Sequence, residues 1–106
     1  MIDAQLLRRI RNDLPMPVTV AALGRRGPPS KWSEGRFRFL CPACGELQAT
    51  VNPRNNLAHC FCCQRNLNNI DLLMTLGYDF RAAVEILHAW LDQYQARQTK
   101  LSTNTK

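Results

Sequence analysis

Two closely spaced pairs of cysteines are the residues of this chain best suited to chemistry. Cys41-Pro-Ala-Cys44 and Cys60-Phe-Cys-Cys63 are Cys-x-x-Cys motifs separated by fifteen residues. Two thiolates at this spacing can bind one tetrahedral ion from a tight turn, and a second such turn completes a shell with Zn–S distances of about 2.3 Å. Gly45 follows the first pair and suits the positive φ that such turns often require. The sequence therefore predicts one structural Zn²⁺ bound by Cys41, Cys44, Cys60 and Cys63.

Other uses of these thiols fit the pattern less well. Five cysteines would leave one unpaired in a disulfide framework, and no βαβ context surrounds either motif, as a thioredoxin-like redox pair requires. A four-thiolate iron site is chemically possible, and the spacing does not exclude it. Four cysteines leave no open coordination position, so we expect a structural metal and a module that is not an enzyme.

Two residues beside the second pair have ambiguous roles. Cys62 could replace Cys60 or Cys63 as a ligand, but the Cys60/Cys63 register repeats the first pair. We therefore expect Cys62 to be a spare thiol packed under the turn. His59 precedes a ligand in a strand, so its side chain should point to the opposite face, as either a nucleic-acid contact or a structural residue.

Positive charge is concentrated around the cysteines. The net charge is +6, and residues 24–65 hold seven basic and two acidic side chains, whereas residues 66–106 hold four of each. Such clustering either solubilises a surface or attracts a polyanion. Because aromatic residues alternate with the cations, we expect single-stranded DNA, whose phosphates contact cations and whose bases stack on rings. The candidate contacts are Lys31, Trp32, Arg36, Arg38, Arg54, His59 and Arg65.

The cysteines lie in a segment that reads as a small sheet. Residues 36–40 alternate polar and apolar side chains, which predicts a strand with Phe37 and Phe39 on its buried face. Residues 47–51 and 57–61 are weaker strand candidates, joined by a turn. The prediction is an α+β fold with a three-stranded antiparallel sheet and a zinc-ribbon core over 36–65.

Helices are expected on both sides of this sheet. Apolar spacing predicts short helices at 3–12, capped by Asp3, and at 18–23, closed by Gly24, with a loop at 25–31. After the sheet, Asn68 or Asn69 caps a helix that ends at Gly77, and Asp79 caps another. The last helix carries an apolar stripe of Phe80, Ala83, Val84, Leu87 and Leu91. We expect one domain over 1–94 and a flexible polar tail over 95–106.

The size and hydropathy of the chain place limits on its class. A chain of 106 residues has a thin core, which metals often reinforce. There is no signal-peptide pattern, and no apolar run approaches the ~18 residues of a membrane span. We therefore expect a cytoplasmic protein with no membrane partner, in which the thiols stay reduced.

The order of several motifs resembles a known family. Cys41-Pro42-Ala43-Cys44, Val51 and His59-Cys60-Phe61-Cys62-Cys63 are followed by Asn69–Met74 and Asp79–Val84. This order is similar to the zinc-binding domain at the N-terminus of bacterial and phage DNA primases. The resemblance covers roughly residues 5–92, and the part from His59 to Val84 is the most specific, because zinc ribbons in general lack the trailing helices.

The resemblance implies a stand-alone template-binding module. Cys44 stands where the family usually has His, and Cys62, Gln64 and Leu67 stand where it favours glycine. Clustered carboxylates, as a catalytic primase domain needs, are not present in the sequence. The implied role is in primer synthesis or replication of a phage, plasmid or other mobile element, with a catalytic primase or helicase supplied in trans.

Two alternatives remain open at this stage. The zinc ribbon could be an adaptor that docks onto a polymerase, helicase or regulator. A sequence-specific transcription regulator is less well supported, because the helix from Phe80 has Arg81 as its only early basic residue. The sequence leaves the template preference, the partner and the oligomeric state undefined.

Overall fold

In the chain, helices precede and follow the strands of one antiparallel sheet. The structure, a computed structural model, describes residues 2–104 and the side chains of residues 2–99. This part of the chain forms four α-helices and five strands. In chain order they are α1 (Ala4–Asp13), α2 (Met16–Leu23), β1 (Ser30–Ser33), β2 (Arg36–Phe39), β3 (Ala49–Asn52), β4 (Leu57–Cys60), β5 (Asn66–Leu67), α3 (Asn69–Thr75) and α4 (Phe80–Asn104).

The sheet contains five strands in the order β1-β2-β3-β4-β5, and all neighbours are antiparallel. The α+β class is confirmed, but the predicted count of three strands is wrong. The additional strands are the two edges. β1 falls partly in the expected loop at 25–31, and β5 has only two residues. An edge strand pairs with a single neighbour and needs little pattern of its own. The ribbon assignment of 36–65 stays a prediction.

Strand register separates the side chains into two faces. Residues paired directly across an antiparallel sheet share a face. One such row crosses all five strands: Lys31, Arg38, Thr50, His59 and Asn66. Its members are polar, and we call the side of the sheet that carries this row the polar face.

The opposite side of the sheet packs into the core. Phe37 and Phe39 are buried there, as predicted, together with Val51 of β3. Helices α1 and α2 and the C-terminal pair cover this side in one continuous apolar cluster. From α4, the predicted stripe contributes Ala83, Val84, Leu87 and Leu91, all buried, whereas Phe80 is 42 % exposed and does not belong to it.

Helix boundaries agree closely with their sequence signals. The Asp3 carboxylate accepts from the Leu6 amide at 2.7 Å, and α2 ends at Gly24 with φ 57°. Asn68, rather than Asn69, caps α3: its side chain accepts from the Asp71 amide, and the Asp71 carboxylate accepts from the Asn68 amide.

The long final helix continues past the domain boundary expected at residue 94. α4 extends to Asn104, so the backbone of 95–104 is helical, although no apolar period continues there. Residues 105 and 106 of the expected tail lie outside the described residues. Within residues 2–104, no helix combines the length and apolar character that a membrane span needs.

Two buried asparagines attach the N-terminal helices to the rest of the fold. Asn56, in the turn between β3 and β4, donates to the carbonyls of Arg11 and Leu14 at 2.8 and 2.7 Å. Its Oδ1 accepts from the Met16 amide at 2.8 Å. Asn69 donates to the Ile10 carbonyl at 2.8 Å. The two amides thereby satisfy backbone groups that the break between α1 and α2 leaves without helical partners.

Replacing Asn56 with Ala should lower the free energy of unfolding by about 2–4 kcal/mol. The change removes the partner of the Met16 amide and of the Arg11 carbonyl, leaves the Leu14 carbonyl with only the 3.3 Å bond from Asn69, and puts an alanine at φ 58°. Asn56→Gly should cost about 1 kcal/mol less, because glycine adopts positive φ without strain. Urea denaturation of the metal-bound protein measures both. Asn12→Ala, at an exposed α1 position, is the control, and equal stability of all three variants would contradict the role of Asn56.

Candidate metal centre

The first cysteine pair lies in a tight turn that follows β2. The Gly45 amide donates to the Cys41 carbonyl at 2.8 Å, and the Cys41 amide donates to the Glu46 carbonyl at 2.8 Å. Gly45 has φ 79°, as the sequence predicts. The turn reverses the chain while both thiols stay on its inner side, where Cys41 is fully buried and Cys44 half-buried.

The second pair repeats this backbone pattern after β4. The Gln64 amide donates to the Cys60 carbonyl at 2.8 Å, and the Cys60 amide donates to the Arg65 carbonyl at 2.9 Å. Gln64 occupies the position that glycine holds in the first turn and has φ 67°. The two turns are therefore alike in geometry, although their sequences share only the cysteine spacing.

The two turns bring four sulfurs to one point. The Sγ atoms of Cys41, Cys44, Cys60 and Cys63 all lie within 4.8 Å of one another. The Cys41–Cys63 distance is 3.9 Å and the Cys44–Cys60 distance is 3.6 Å. A tetrahedral shell with metal–sulfur bonds of about 2.3 Å has S···S edges of about 3.8 Å. The cluster therefore fits one tetrahedral ion, and its four soft donors suit zinc or iron.

The thiols alone cannot all ionise at neutral pH. Backbone amides of Cys63 and Cys62 and the thiols of Cys44 and Cys63 outweigh burial and lower the pKa of Cys60 to about 7. For Cys44, the Glu46 amide acts in the opposite direction, but burial and the three neighbouring thiols raise its pKa to about 12. Burial also raises the pKa of Cys41. A bound cation would lower the pKa of all four thiols, because it stabilises thiolates directly.

Cys62 lies outside the cluster. Its side chain is exposed, which corrects the expectation that it packs under the turn. The two residues between the ligands of such a turn form its outer side, so Cys62 and its neighbour Phe61 both face solvent. Phe61 is 61 % exposed.

The predicted nucleic-acid contacts divide into three groups. Lys31, Arg36, Arg38 and His59 share the polar face, with Arg36 two residues before Arg38 on β2. Arg54 and Arg65 lie in exposed turns at opposite ends of β4. Trp32 alternates with Lys31 on β1, so it belongs to the opposite side of the sheet.

The setting of His59 was missed in the sequence, although its face was predicted. Its Nδ1 lies 2.8 Å from Asn66 Oδ1 and its Nε2 lies 3.1 Å from Gln64 Oε1. The ring also contacts Phe61 edge to face, with centroids 4.8 Å apart. Only the pairing of β5 with β4 places Asn66 opposite His59, and this two-residue strand has no sequence signal.

Comparison of the chain with family models, with curated proteins and with solved structures finds no match in any of the three. The geometry of the centre and of the polar face therefore carries the functional argument.

Cys60→Ser should abolish tight binding of one metal ion per chain, because serine removes a soft ligand from a four-thiolate shell. Metal content by elemental analysis and native mass spectrometry measures it. Removing the ion with a chelator should also unfold the sheet, seen by circular dichroism, because such ions contribute folding free energy directly.

Cys62→Ser is the matched control for this change. It alters the exposed thiol two residues away and should retain one ion per chain. Loss of metal from both variants, or sheet structure that survives chelation undiminished, would contradict the assignment.

Metal binding at pH 7 should release at least two protons, from Cys41 and Cys44, whose pKa values lie above neutrality in the metal-free protein. The bound form then holds fewer protons than the free form, so affinity rises with pH by about 100-fold per unit and falls on acidification. Indicator dyes in weak buffer count the protons released by added Zn²⁺. Release of fewer than one proton per ion would show that the thiols are already ionised.

Proposed function

We propose that this chain is a zinc-stabilised module that binds single-stranded DNA through the polar face of its sheet. The ion is Zn²⁺, held by the two cysteine turns in a structural role. Its contribution is to hold β2, β3 and β4 in register, because the turns that carry its ligands follow β2 and β4 directly.

The observation that carries the proposal is the placement of cations on one side of the sheet. Lys31, Arg36 and Arg38 come from the adjacent strands β1 and β2, and His59 lies two strands further on in the same face. Opposite them, Phe37 and Phe39 are buried. The cations therefore lie together on the side of the sheet away from the core, with Lys31 and Arg36 exposed and Arg38 and His59 half-buried, as a surface that contacts successive phosphates requires.

Among the described residues, none of these cations contacts a carboxylate: the one such contact of a basic side chain there joins His88 Nε2 to Asp92 Oδ2 at 3.6 Å on α4. The Nε atom of Arg38 is shielded from solvent and donates no hydrogen bond in the structure. Unpaired, partly desolvated cations attract phosphate more strongly than cations already engaged with carboxylates.

The DNA strand would lie along the row of polar side chains. Exposed Phe61 at one end, held edge to face against His59, offers a ring on which a base can stack. Asn66, exposed at the end of the row beyond His59, adds a neutral polar group, whereas Thr50 between Arg38 and His59 is buried. This mixture of cations, a ring and neutral polar groups suits a single strand without strong sequence readout.

The resemblance to primase zinc-binding domains suggests the setting in which such a module acts. We propose that it presents template for primer synthesis or for the replication of a mobile element, with catalysis supplied by a separate primase or helicase. The His59-to-Val84 segment supports this, since it carries both the second turn and the two trailing helices. The four-cysteine shell and the non-glycine residues of the second turn distinguish this chain from the family's usual pattern.

Arg36→Ala combined with Arg38→Ala should weaken binding of a single-stranded oligonucleotide and flatten its salt dependence. Losing two phosphate contacts should reduce the slope of log K against log salt by about 1.4, at about 0.7 per contact. Fluorescence anisotropy with labelled DNA at several salt concentrations gives both quantities, and circular dichroism with metal analysis confirms that the variant is folded.

Arg8→Ala combined with Arg81→Ala is the matched control, because it removes the same charge from exposed positions on α1 and α4. If both double variants bind the oligonucleotide with the same affinity and the same slope of log K against log salt, binding at the polar face is disproved. Absence of any DNA affinity, together with co-purification of a protein partner, would favour the adaptor alternative.

A further inference from the structure

A cleft opens where the N-terminal helices meet the β1–β2 hairpin, on the side of the sheet opposite the polar face. Its volume is about 220 Å³. Its lining includes Pro15 from the break between α1 and α2, Pro17 from the first turn of α2, Trp32 and Phe37 from the core side of the hairpin, Arg36 from the first position of β2, and Pro53. This is less than the ~300–1,000 Å³ typical of sites for drug-sized ligands, so the cleft suits a single planar ring system.

Trp32 also lines a second, more open depression. The second depression is lined by Arg25, Pro28 and Pro29 and shares Pro17, Trp32 and Phe37 with the first. The indole is 66 % exposed, and Phe37 supports it edge to face with centroids 5.2 Å apart. A tryptophan this exposed, fixed by a buried ring, offers a rigid stacking surface at little cost in side-chain entropy.

The charges around Trp32 indicate an anionic occupant. Each depression has one arginine in its lining, Arg36 in the first and Arg25 in the second. None of the described residues that line either depression is Asp or Glu. The nearest acid along the chain, Glu34, is exposed in the β1–β2 turn. An apolar, proline-lined ring site between two cations matches a nucleobase flanked by its own phosphates.

We propose that the cleft beside Trp32 takes a base of single-stranded DNA, stacked on the indole, while Arg25 contacts the phosphate on the cleft side. Arg36, the first residue of β2, lies at the rim of the cleft and contacts the phosphate that leads back to the polar face. This inference rests on the proposed function and adds a second contact region to it. Trp32 and Lys31 are adjacent residues of the edge strand β1, with side chains on opposite sides of the sheet. A DNA strand bound on the polar face can therefore reach the cleft by passing over β1, the edge of the sheet.

No described residue covers the outer edge of β1, so a DNA strand can pass over it. Ser30, Lys31 and Trp32 are all exposed, and β1 pairs only with β2. The DNA would thus wrap the edge strand, with phosphates on the polar face and a base held on the far side. Such a path predicts a base-dependent part of the affinity, due to Trp32, and a phosphate-dependent part, due to the arginines.

The test uses the full chain with Trp90→Phe, which leaves Trp32 as the single tryptophan. Two strands of equal length are compared, a deoxythymidine oligonucleotide and one in which every base is replaced by an abasic site. The thymidine strand should quench Trp32 fluorescence, and the abasic strand should bind more weakly without quenching.

Removing the ring should affect only the base-dependent part. In the natural-sequence background, Trp32→Ala should weaken binding of the thymidine strand roughly 5- to 150-fold, leave the abasic strand unaffected and leave the salt slope unchanged. Trp32→Phe should restore part of the affinity. Phe80→Ala, which removes an exposed ring from α4, is the control and should have no effect.

The outcomes separate this inference from the proposed function. Salt-dependent binding of DNA that Trp32→Ala leaves unchanged overturns the cleft assignment and preserves the polar face. Failure of both strands to bind overturns both. A proline-rich peptide that quenches Trp32 more tightly than the thymidine strand overturns the assignment in favour of a peptide site.

Discussion

The two cysteine turns can share one ion only if their four sulfurs meet within about 4 Å, and the rest of the sheet follows from that requirement. The strands that enter the turns contain four residues each, and an isolated hairpin of such strands is marginally stable at best in water. An ion of this kind contributes about 10–16 kcal/mol of binding free energy in small zinc domains, comparable to the whole stability of an ordinary domain. Pairing of Ala49 with Cys60 then fixes β3 against β4.

The same constraint separates the two faces of the sheet. Because the Cys60 thiol points inward to the sulfur cluster, its neighbour His59 points outward, and the alternation carries through the paired strands to Arg38 and Lys31. One strand register therefore places the sulfur cluster on one side of the sheet and the polar face on the other.

Much of this fold could be predicted from local signals, and what was missed depends on contacts between distant segments. Caps at Asp3, Asn68 and Asp79 and the turn residue Gly45 act within a few residues and were readable from sequence. Strands β1 and β5 have little sequence pattern of their own, and each is formed by pairing with its neighbour, β2 or β4. Likewise, the sequence offers Asn69 only as one of two candidate helix caps, whereas its side-chain amide donates to the Ile10 carbonyl of α1, fifty-nine residues away.

In the second cysteine turn, too, local signals predicted one part of the candidate site, and contacts with other residues determine the rest. Spacing was enough to select the four cysteines whose sulfurs lie together, but not to explain why Gln64 occupies a left-handed position that glycine holds in the first turn. A residue with a Cβ there costs about 1–2 kcal/mol. Its side chain offsets this strain by donating to the Phe61 carbonyl at 3.1 Å and contacting His59 Nε2. The strained residue thus connects the metal turn to the ring of the polar face, so the second turn positions a surface group as well as two ligands. This link gives a physical reason for the departure from glycine.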